Sequence, residues 1–254
     1  MNPHEITRYP ITIDGDTTRI GTAHELAIAL DVLQGQHDRA VLEQLRAHLA
    51  EIVNTPHGFA RVLTALAPDD QIFLNDAIGA RLAATLQDAR HLRDIFAAMS
   101  VIAVEQKLLD TLGTNGLRAL IHTAEELAEI LEWLYGECDR QAIELIGIAH
   151  LKQVIRHASD LCLVLHALDA NGKRDLIERI GWANVVHLVR DGIDLAHLAR
   201  TISSELTARL IAEFTREQML ALIGNARDWQ YLWARLEGAE RLMIATKLGA
   251  HYAA

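Results

Sequence analysis

Histidines are the first residues in this sequence that suggest chemistry, because imidazole binds metal ions and transfers protons near neutral pH. The chain has 13 of them, scattered along its length, with neither an HExxH motif nor a cysteine and histidine set at metal-ligand spacing. We expect His150, His157 and His166 to lie on different faces of different helices. The pattern indicates solvated or helix-capping histidines and predicts no metal site.

Acidic residues and short loops give no clearer sign of catalysis. Asp14 and Asp16 in IDGDTT are too few for a calcium loop, which needs more oxygen ligands in a twelve-residue frame, so we expect a turn. The stretch ANGKRD lacks the first glycine of a phosphate-binding loop, and no GxSxG motif occurs. Glu125 and Glu126 fall at a helix start, where negative charge is favourable. The sequence therefore predicts no catalytic, cofactor-binding or metal-binding residue, and we expect a protein that is not an enzyme.

A repeated pattern of apolar residues spans most of the chain. The stretches TAEELAEILEWL, HASDLCLVLHAL and DGIDLAHLARTI begin 34 residues apart and share apolar positions, although few letters match. In each stretch an anchor residue is followed by apolar residues three and seven positions later, which form one stripe along a helix. Equivalent anchors recur 33 to 35 residues apart, at Leu26, Phe59, Leu92, Leu127, Leu161, Leu195 and Trp229.

Residues suited to cap a helix precede the anchors by four positions. They are Thr22, Thr55, Asp88, Thr123, His157, Asp191 and Asn225. All but His157 have a side chain preferred at the N-cap, where it accepts a bond from an unpaired backbone N–H. Thr22 with Glu25, and Thr123 with Glu126, have capping-box spacing. Each unit therefore predicts a well-defined first helix.

The second half of a unit predicts a short helix, followed in five of the seven units by a glycine, and then a third short helical piece that the last unit lacks. Glycine just past a helix is the usual left-handed cap. The glycines expected in this role are Gly79, Gly113, Gly147, Gly181 and Gly249. A unit of this size cannot bury its own apolar face and must pack against its neighbours.

The predicted fold is all-α, a superhelical α-solenoid of about seven 34-residue repeats. The repeats start near residues 22, 55, 88, 123, 157, 191 and 225, and residues 22–254 form a single domain. Residues 1–21 differ, because YPITIDGDTTRI alternates apolar and polar residues around the turn signal Asp14-Gly15. We predict a small β-hairpin there that caps the first repeat. We also expect Leu131 and Leu165 to be core residues.

The outward face of the first helices is the candidate binding surface. Positions two and five after each anchor point away from the core and vary in chemistry, whereas the flanking positions are mostly small. Trp133 is a large residue at one of these mostly small flanking positions, and Tyr135 follows it in a loop. We predict that the two form an aromatic and apolar patch with Leu163 and His166. The predicted partner-binding residues are Trp133, Tyr135, Glu129, Leu163, His166, His197, Arg200 and Tyr231.

Composition narrows the function classes. Half of the 254 residues are apolar and only 5% are aromatic, with Ala and Leu dominant, which favours helices. A net charge of −10 disfavours nucleic acid as a partner, and no apolar run is long enough to span a membrane. Cys138 and Cys162 indicate ordinary thiols in a reducing compartment, and the first residues lack the layout of a secretory signal.

The unit resembles the 34-residue helical tandem repeats of effector proteins from bacterial type IV secretion systems. Residues 156–189, RHASDLCLVLHALDANGKRDLIERIGWANVVHLV, carry the likeness best, and it extends over residues 22–249. The resemblance implies a repeat scaffold that docks on another protein inside a host cell, and it assigns no catalytic residue. The chain lacks the patterns of tetratricopeptide and ankyrin repeats and the glycine-rich reading loop of transcription-activator-like repeats.

Two function classes follow from the sequence. The first is a non-enzymatic scaffold for protein–protein interaction, present in the bacterial cytoplasm and translocated into a host cell without a Sec signal peptide. The alternative is a nucleic-acid reader built from short helical repeats. Salt-dependent binding to random oligonucleotides separates the two.

Overall fold

The computed structural model describes residues 6–224 and 226–249, and it is mostly helical with a two-stranded N-terminal sheet. The elements are β1 (Tyr9–Ile13), β2 (Asp16–Ile20), α1 (Ala23–Leu33), α2 (Asp38–Leu45), α3 (Leu49–Ile52), α4 (Pro56–Ala65), α5 (Pro68–Ala83), α6 (Ala89–Ala98), α7 (Ile102–Leu120), α8 (Ala124–Leu131), α9 (Glu137–Ile146), α10 (Ile148–Val154), α11 (Ala158–His166), α12 (Ala170–Ile180), α13 (Trp182–Leu188), α14 (Gly192–Thr201), α15 (Ser204–Glu213), α16 (Arg216–Leu222), α17 (Ala226–Trp233) and α18 (Gly238–Leu248). Two compact units contain these elements. The described residues of the first unit are 6–121 and 133–145, and those of the second are 122–132, 146–224 and 226–249.

The predicted β-hairpin is confirmed. Strands β1 and β2 pair antiparallel, with Tyr9 opposite Ile20 and Ile13 opposite Asp16. Asp14 and Gly15 both have positive φ, at 51° and 91°, which is the backbone of the tight turn that matches strand twist.

Side chains fasten the hairpin to the rest of the first unit. The Gln44 amide pairs with the backbone of Thr12 in both directions, accepting from its N–H at 2.9 Å and donating to its carbonyl at 3.0 Å. The Tyr9 ring stacks on His48 with 3.7 Å between ring centroids. Ile11 is 1% exposed, so the hairpin contributes an apolar side chain to the core of this unit.

First helices of successive repeats pack directly against one another. In the first unit α1 packs on α4 and α4 on α6, and in the second unit α8 packs on α11, α11 on α14 and α14 on α17. The anchors are the centre of this packing, and the first six of them are fully buried. Leu131 and Leu165 are also buried, as predicted. Trp229 differs, because it is half-buried and stacks on Trp233 at 4.5 Å between ring centroids.

The predicted helix caps are present at five described positions. The side chains of Thr22, Thr55, Asp88, Thr123 and Asp191 each accept a bond from a backbone N–H three residues on. Thr123 and Glu126 complete a capping box, whereas Glu25 accepts from the Gly21 N–H at 2.8 Å. His157 has no such side-chain bond, as its chemistry suggested, and Asn225 lies outside the described residues.

The glycine caps follow the prediction only in part. Gly113, Gly147, Gly181 and Gly249 have positive φ but extended ψ, for example 87° and 136° at Gly181, so they are not left-handed helical caps. This backbone region is open almost only to glycine. It turns the chain between α9 and α10 at Gly147 and between α12 and α13 at Gly181, and at Gly113 it kinks α7. Gly79 was predicted wrongly, because it lies inside the continuous helix α5.

Polar links between successive second helices recur at one spacing. In both units, side chains 31 residues apart in sequence are joined. This spacing is shorter than the 34-residue repeat by about one helical turn. The links are Arg39–Asp70, Lys107–Asp76, Gln141–Asp110, Arg174–Glu205 and Arg209–Glu178. The same side-by-side relation between neighbouring repeats therefore occurs again and again along the chain.

Candidate interaction surface

The predicted outward row of the second unit is solvent-facing. Its members lie on the neighbouring helices α11, α14 and α17 or, for Arg235, in the turn directly after α17, and they follow their anchors by two, five or six positions. Leu163 is 43% exposed, His166, His197 and Arg200 are exposed, and Tyr231 is half-buried. We call this surface the α11–α17 row, formed by Leu163, His166, His197, Arg200, Tyr231 and Arg235.

Contacts within the α11–α17 row join one helix to the next. The His166 Nε2 atom lies 3.4 Å from Thr201 Oγ1, and the His197 Nε2 atom lies 3.4 Å from the Tyr231 hydroxyl. The His197 and Tyr231 rings are also tilted against each other, with 5.8 Å between centroids. These contacts hold polar and aromatic groups at the surface in a defined arrangement.

Arg235 belongs to this surface, although sequence reasoning did not select it. Its guanidinium lies 3.4 Å from the centroid of the Tyr231 ring, and its Nη1 atom donates to the Tyr231 carbonyl at 3.3 Å. The available signal was its position, six residues after Trp229, where most other repeats carry a small side chain. Arg235 therefore places a fixed positive charge beside Tyr231.

The charge of the α11–α17 row is opposite to that of the whole chain. The row and the flanking positions of its three helices contain no Asp or Glu, whereas the chain has a net charge of −10. The row contains the guanidinium groups of Arg200 and Arg235 and the imidazole groups of His166 and His197. On the preceding helix, α8, and at the residue that follows it, the equivalent positions carry Glu129 and Glu132 instead.

Trp133 and Tyr135 lie in the first unit, on the segment between α8 and α9. Their side chains are 38% and 53% exposed. Leu163 and His166 lie in the second unit, so the predicted patch that would join the two pairs stays a prediction. Glu129, also predicted, is half-buried on α8.

A buried carboxylate positions the segment that carries these aromatic residues. Glu105 on α7 is fully buried, and its Oε2 atom accepts from the Tyr135 N–H at 3.1 Å. Burial raises the pKa of Glu105, while bonds from the Tyr135 N–H and the Cys138 thiol lower it by a smaller amount. Sequence reasoning missed Glu105, because an acid inside an amphipathic helix normally faces solvent.

The outward row of the first unit forms a shallow cavity of about 550 Å³. It is lined by Ala27, Ile28, Asp31, His57, Ala60, Arg61, Thr64, Ala65, Asp94, Ala97 and Ala98. All of these except His57 were predicted to be outward or flanking positions of α1, α4 and α6. The small alanine side chains open the space between the helices.

Other candidate chemistry is weaker. Cys138 and Cys162 are free and buried, and burial raises the pKa of the Cys138 thiol to about 12, so neither is an activated nucleophile. Among the described residues no group of three or more histidine, cysteine, aspartate or glutamate side chains is arranged to hold a metal ion. Across residues 6–224 and 226–249, no helix has the length and apolar character needed to cross a membrane.

Comparison of the chain with protein-family models and with curated proteins found no match.

Proposed function

We propose that this protein is a non-enzymatic scaffold that binds another protein along the outward faces of its first helices. The observation that carries the proposal is the α11–α17 row, where equivalent positions on packed helices expose varied side chains above a uniform apolar core. Repeat proteins bind partners through such extended surfaces. The exposed Trp133 and Tyr135 are a second contact in the proposal, because aromatic residues contribute strongly to interfaces.

The proposal includes a superhelical arrangement of the repeats, an α-solenoid. Its support is the neighbour-to-neighbour packing within each unit and the links that recur at a spacing of 31 residues. Small-angle X-ray scattering tests the arrangement, because a compact chain of this length has a radius of gyration of about 18 Å. A clearly larger value for the monomer supports the solenoid, and a value near 18 Å contradicts it.

Capture of partners from bacterial and eukaryotic lysates tests the binding function. The test variant replaces Leu163, His197 and Tyr231 with Ser, and the control variant replaces Arg174, Glu178 and Arg209 on the second helices with Ser. We expect a protein that is captured by the wild type and the control but lost by the test variant. Equal capture by all three proteins, or none by any, contradicts the proposed surface.

We also propose that the protein acts inside a host cell after leaving the bacterial cytoplasm through a type IV secretion system. The support is the resemblance of the repeat unit, best seen in residues 156–189. A fusion to a reporter enzyme that requires a host-cell factor tests this step. Reporter activity in host cells should depend on an intact secretion system, and activity that persists without that system would overturn the proposal.

A further inference from the structure

We propose that the α11–α17 row binds an acidic peptide segment of the partner, an extended stretch with carboxylate side chains at regular intervals. This inference rests on the proposed function and names the chemistry that its surface would recognise. It draws on the charge, the exposure and the spacing of the row, each of which is independent of the other two.

Arg200 is the group best placed to bind a carboxylate. Its side chain is exposed on α14, and no ion pair or hydrogen bond engages it within residues 6–224 and 226–249. A guanidinium offers five N–H donors in a planar arrangement that matches a carboxylate. Because its stem lies on a packed helix, its charge stays over the row.

Arg235 supplies the second positive site. The stacking on Tyr231 and the bond to the Tyr231 carbonyl fix its position, yet the guanidinium still has N–H groups that this bond does not use. Pre-organised donors lose less conformational entropy on binding than mobile ones. The Tyr231 hydroxyl and His197 beside it can donate or accept further hydrogen bonds from a peptide.

The spacing of the rungs suits an extended peptide. Packed helices lie about 8–10 Å apart, so the parts of the row that belong to α11, α14 and α17 follow one another at about that distance. A polyproline-like segment rises about 3.1 Å per residue and repeats every three residues, which is about 9 Å. Acidic residues at every third position would therefore meet successive helices of the row.

A peptide fits this surface better than a nucleic acid does. Leu163 and Tyr231 offer apolar and aromatic area in the same row as the charges, which side chains of a peptide can cover. Glu129 on the neighbouring helix α8 and Glu132 at its C-terminal end would repel a continuous phosphate backbone. A discontinuous pattern of carboxylates avoids that repulsion.

Nuclear magnetic resonance titration of the full-length protein tests the proposal, because it detects binding even at millimolar dissociation constants. The probe is a short peptide with glutamate at every third position, and its matched control has glutamine at the same positions. We expect saturable shifts of the Arg200 and Arg235 side-chain signals with the glutamate peptide only. The affinity should fall about tenfold or more in the Arg200→Gln, Arg235→Gln double variant.

Two controls keep the result interpretable. Arg174→Gln removes the same charge from an exposed position on α12 and should leave the affinity unchanged. Arg200→Gln alone changes an exposed side chain, so it should fold normally and still weaken binding.

The outcomes that overturn the proposal are specific. They are no shift with the glutamate peptide, equal shifts with the glutamine peptide, equal loss in Arg174→Gln, or tighter binding of a single-stranded oligonucleotide of equal charge. If the glutamate peptide does not bind but Leu163, His197 and Tyr231 are still needed to capture a partner from lysate, the proposed scaffold function is retained and only the acidic peptide ligand is contradicted. If the lysate experiment also shows no capture that depends on these residues, the proposed function is contradicted as well.

Discussion

The outward faces of α1, α4 and α6 in the first unit and of α11, α14 and α17 in the second occupy equivalent repeat positions but differ in chemistry. In the first unit acids and bases are mixed, as in the ion pair between Arg93 and Asp94 at 2.8 Å, and alanines line a shallow cavity. In the second unit the face carries Arg200 and Arg235 without any acid. The repeat leaves this face free to differ because core packing does not involve it.

The two units also differ in the acidic residues that they bury. Among the described residues, the buried acids Asp38, Asp70, Glu105 and Asp139 belong to the first unit, whereas Glu240 belongs to the second. Burying a carboxylate costs free energy unless hydrogen bonds or charges compensate, as the Tyr135 N–H does at Glu105 and Arg39 does at Asp70. Both units therefore have an apolar core, but the first buries more acids and has an outward face of mixed charge, whereas the α11–α17 row has arginines and no acids.

The largest expected change in stability comes from a core residue of α11, and a residue on the outward face of the same helix is its control. Leu165 is fully buried and Leu163 is 43% exposed, so the two leucines are a matched pair on α11. Leu165→Ala should lower the free energy of unfolding by about 2–5 kcal/mol. Leu163→Ala should change it by less than about 0.5 kcal/mol, as surface substitutions do. Chemical denaturation measures both, and similar losses in the two variants would show that the assignment of faces is wrong.

A smaller effect is expected at the turns that both units share. Gly181 has φ of 87°, and an added Cβ would meet only Asn184 Nδ2 at 3.5 Å, an ordinary contact. Gly181→Ala should therefore destabilise through the backbone alone, by about 1–3 kcal/mol. Gly238, the first residue of α18, has no positive φ and open space around its Cβ position, so Gly238→Ala is the control. Equal stability of the two variants would contradict a strained turn at Gly181.

The buried acid of the first unit predicts a pH-dependent effect. Burial raises the pKa of Glu105 in the folded state, so its contribution to stability is complete below the unfolded pKa and is lost as pH rises through the folded pKa. The Glu105→Gln variant keeps a side-chain oxygen that can accept the hydrogen bond from the Tyr135 N–H, and its amide has no charge that burial would desolvate. The variant should gain stability relative to the wild type as pH rises from about 4 toward neutral, because only the wild type has a buried group that must ionise. Thermal unfolding across this range measures the difference, and a constant difference would refute the assignment.

The smallest expected effect on stability is at Trp133. Because its side chain is 38% exposed, Trp133→Ala should leave the melting temperature nearly unchanged. Binding of a captured partner should weaken by about 2 kcal/mol, as measured by calorimetry. A variant that is destabilised by about 3–5 kcal/mol yet binds normally once folded would show that Trp133 fills a gap in the core.

The sequence by itself determined the local features of this fold. The spacing of Leu127, Leu161 and Leu195 predicted buried stripes, Thr123 and Asp191 predicted helix starts, and Asp14-Gly15 predicted the hairpin turn. These features depend on the hydrophobic period and on hydrogen bonds within a few residues, which are readable along the chain. The outward row was also predictable, because it is the complement of the buried stripe.

Tertiary structure alone decided which of those side chains meet. The stacking of Arg235 on Tyr231, the contact between His166 and Thr201, and the bond from Tyr135 to Glu105 all join residues from different turns or different helices. Tertiary packing likewise placed Gly79 inside a continuous helix instead of at a break. Such contacts depend on how helices pack and on which groups packing removes from water, and neither follows from the spacing of residues along one segment.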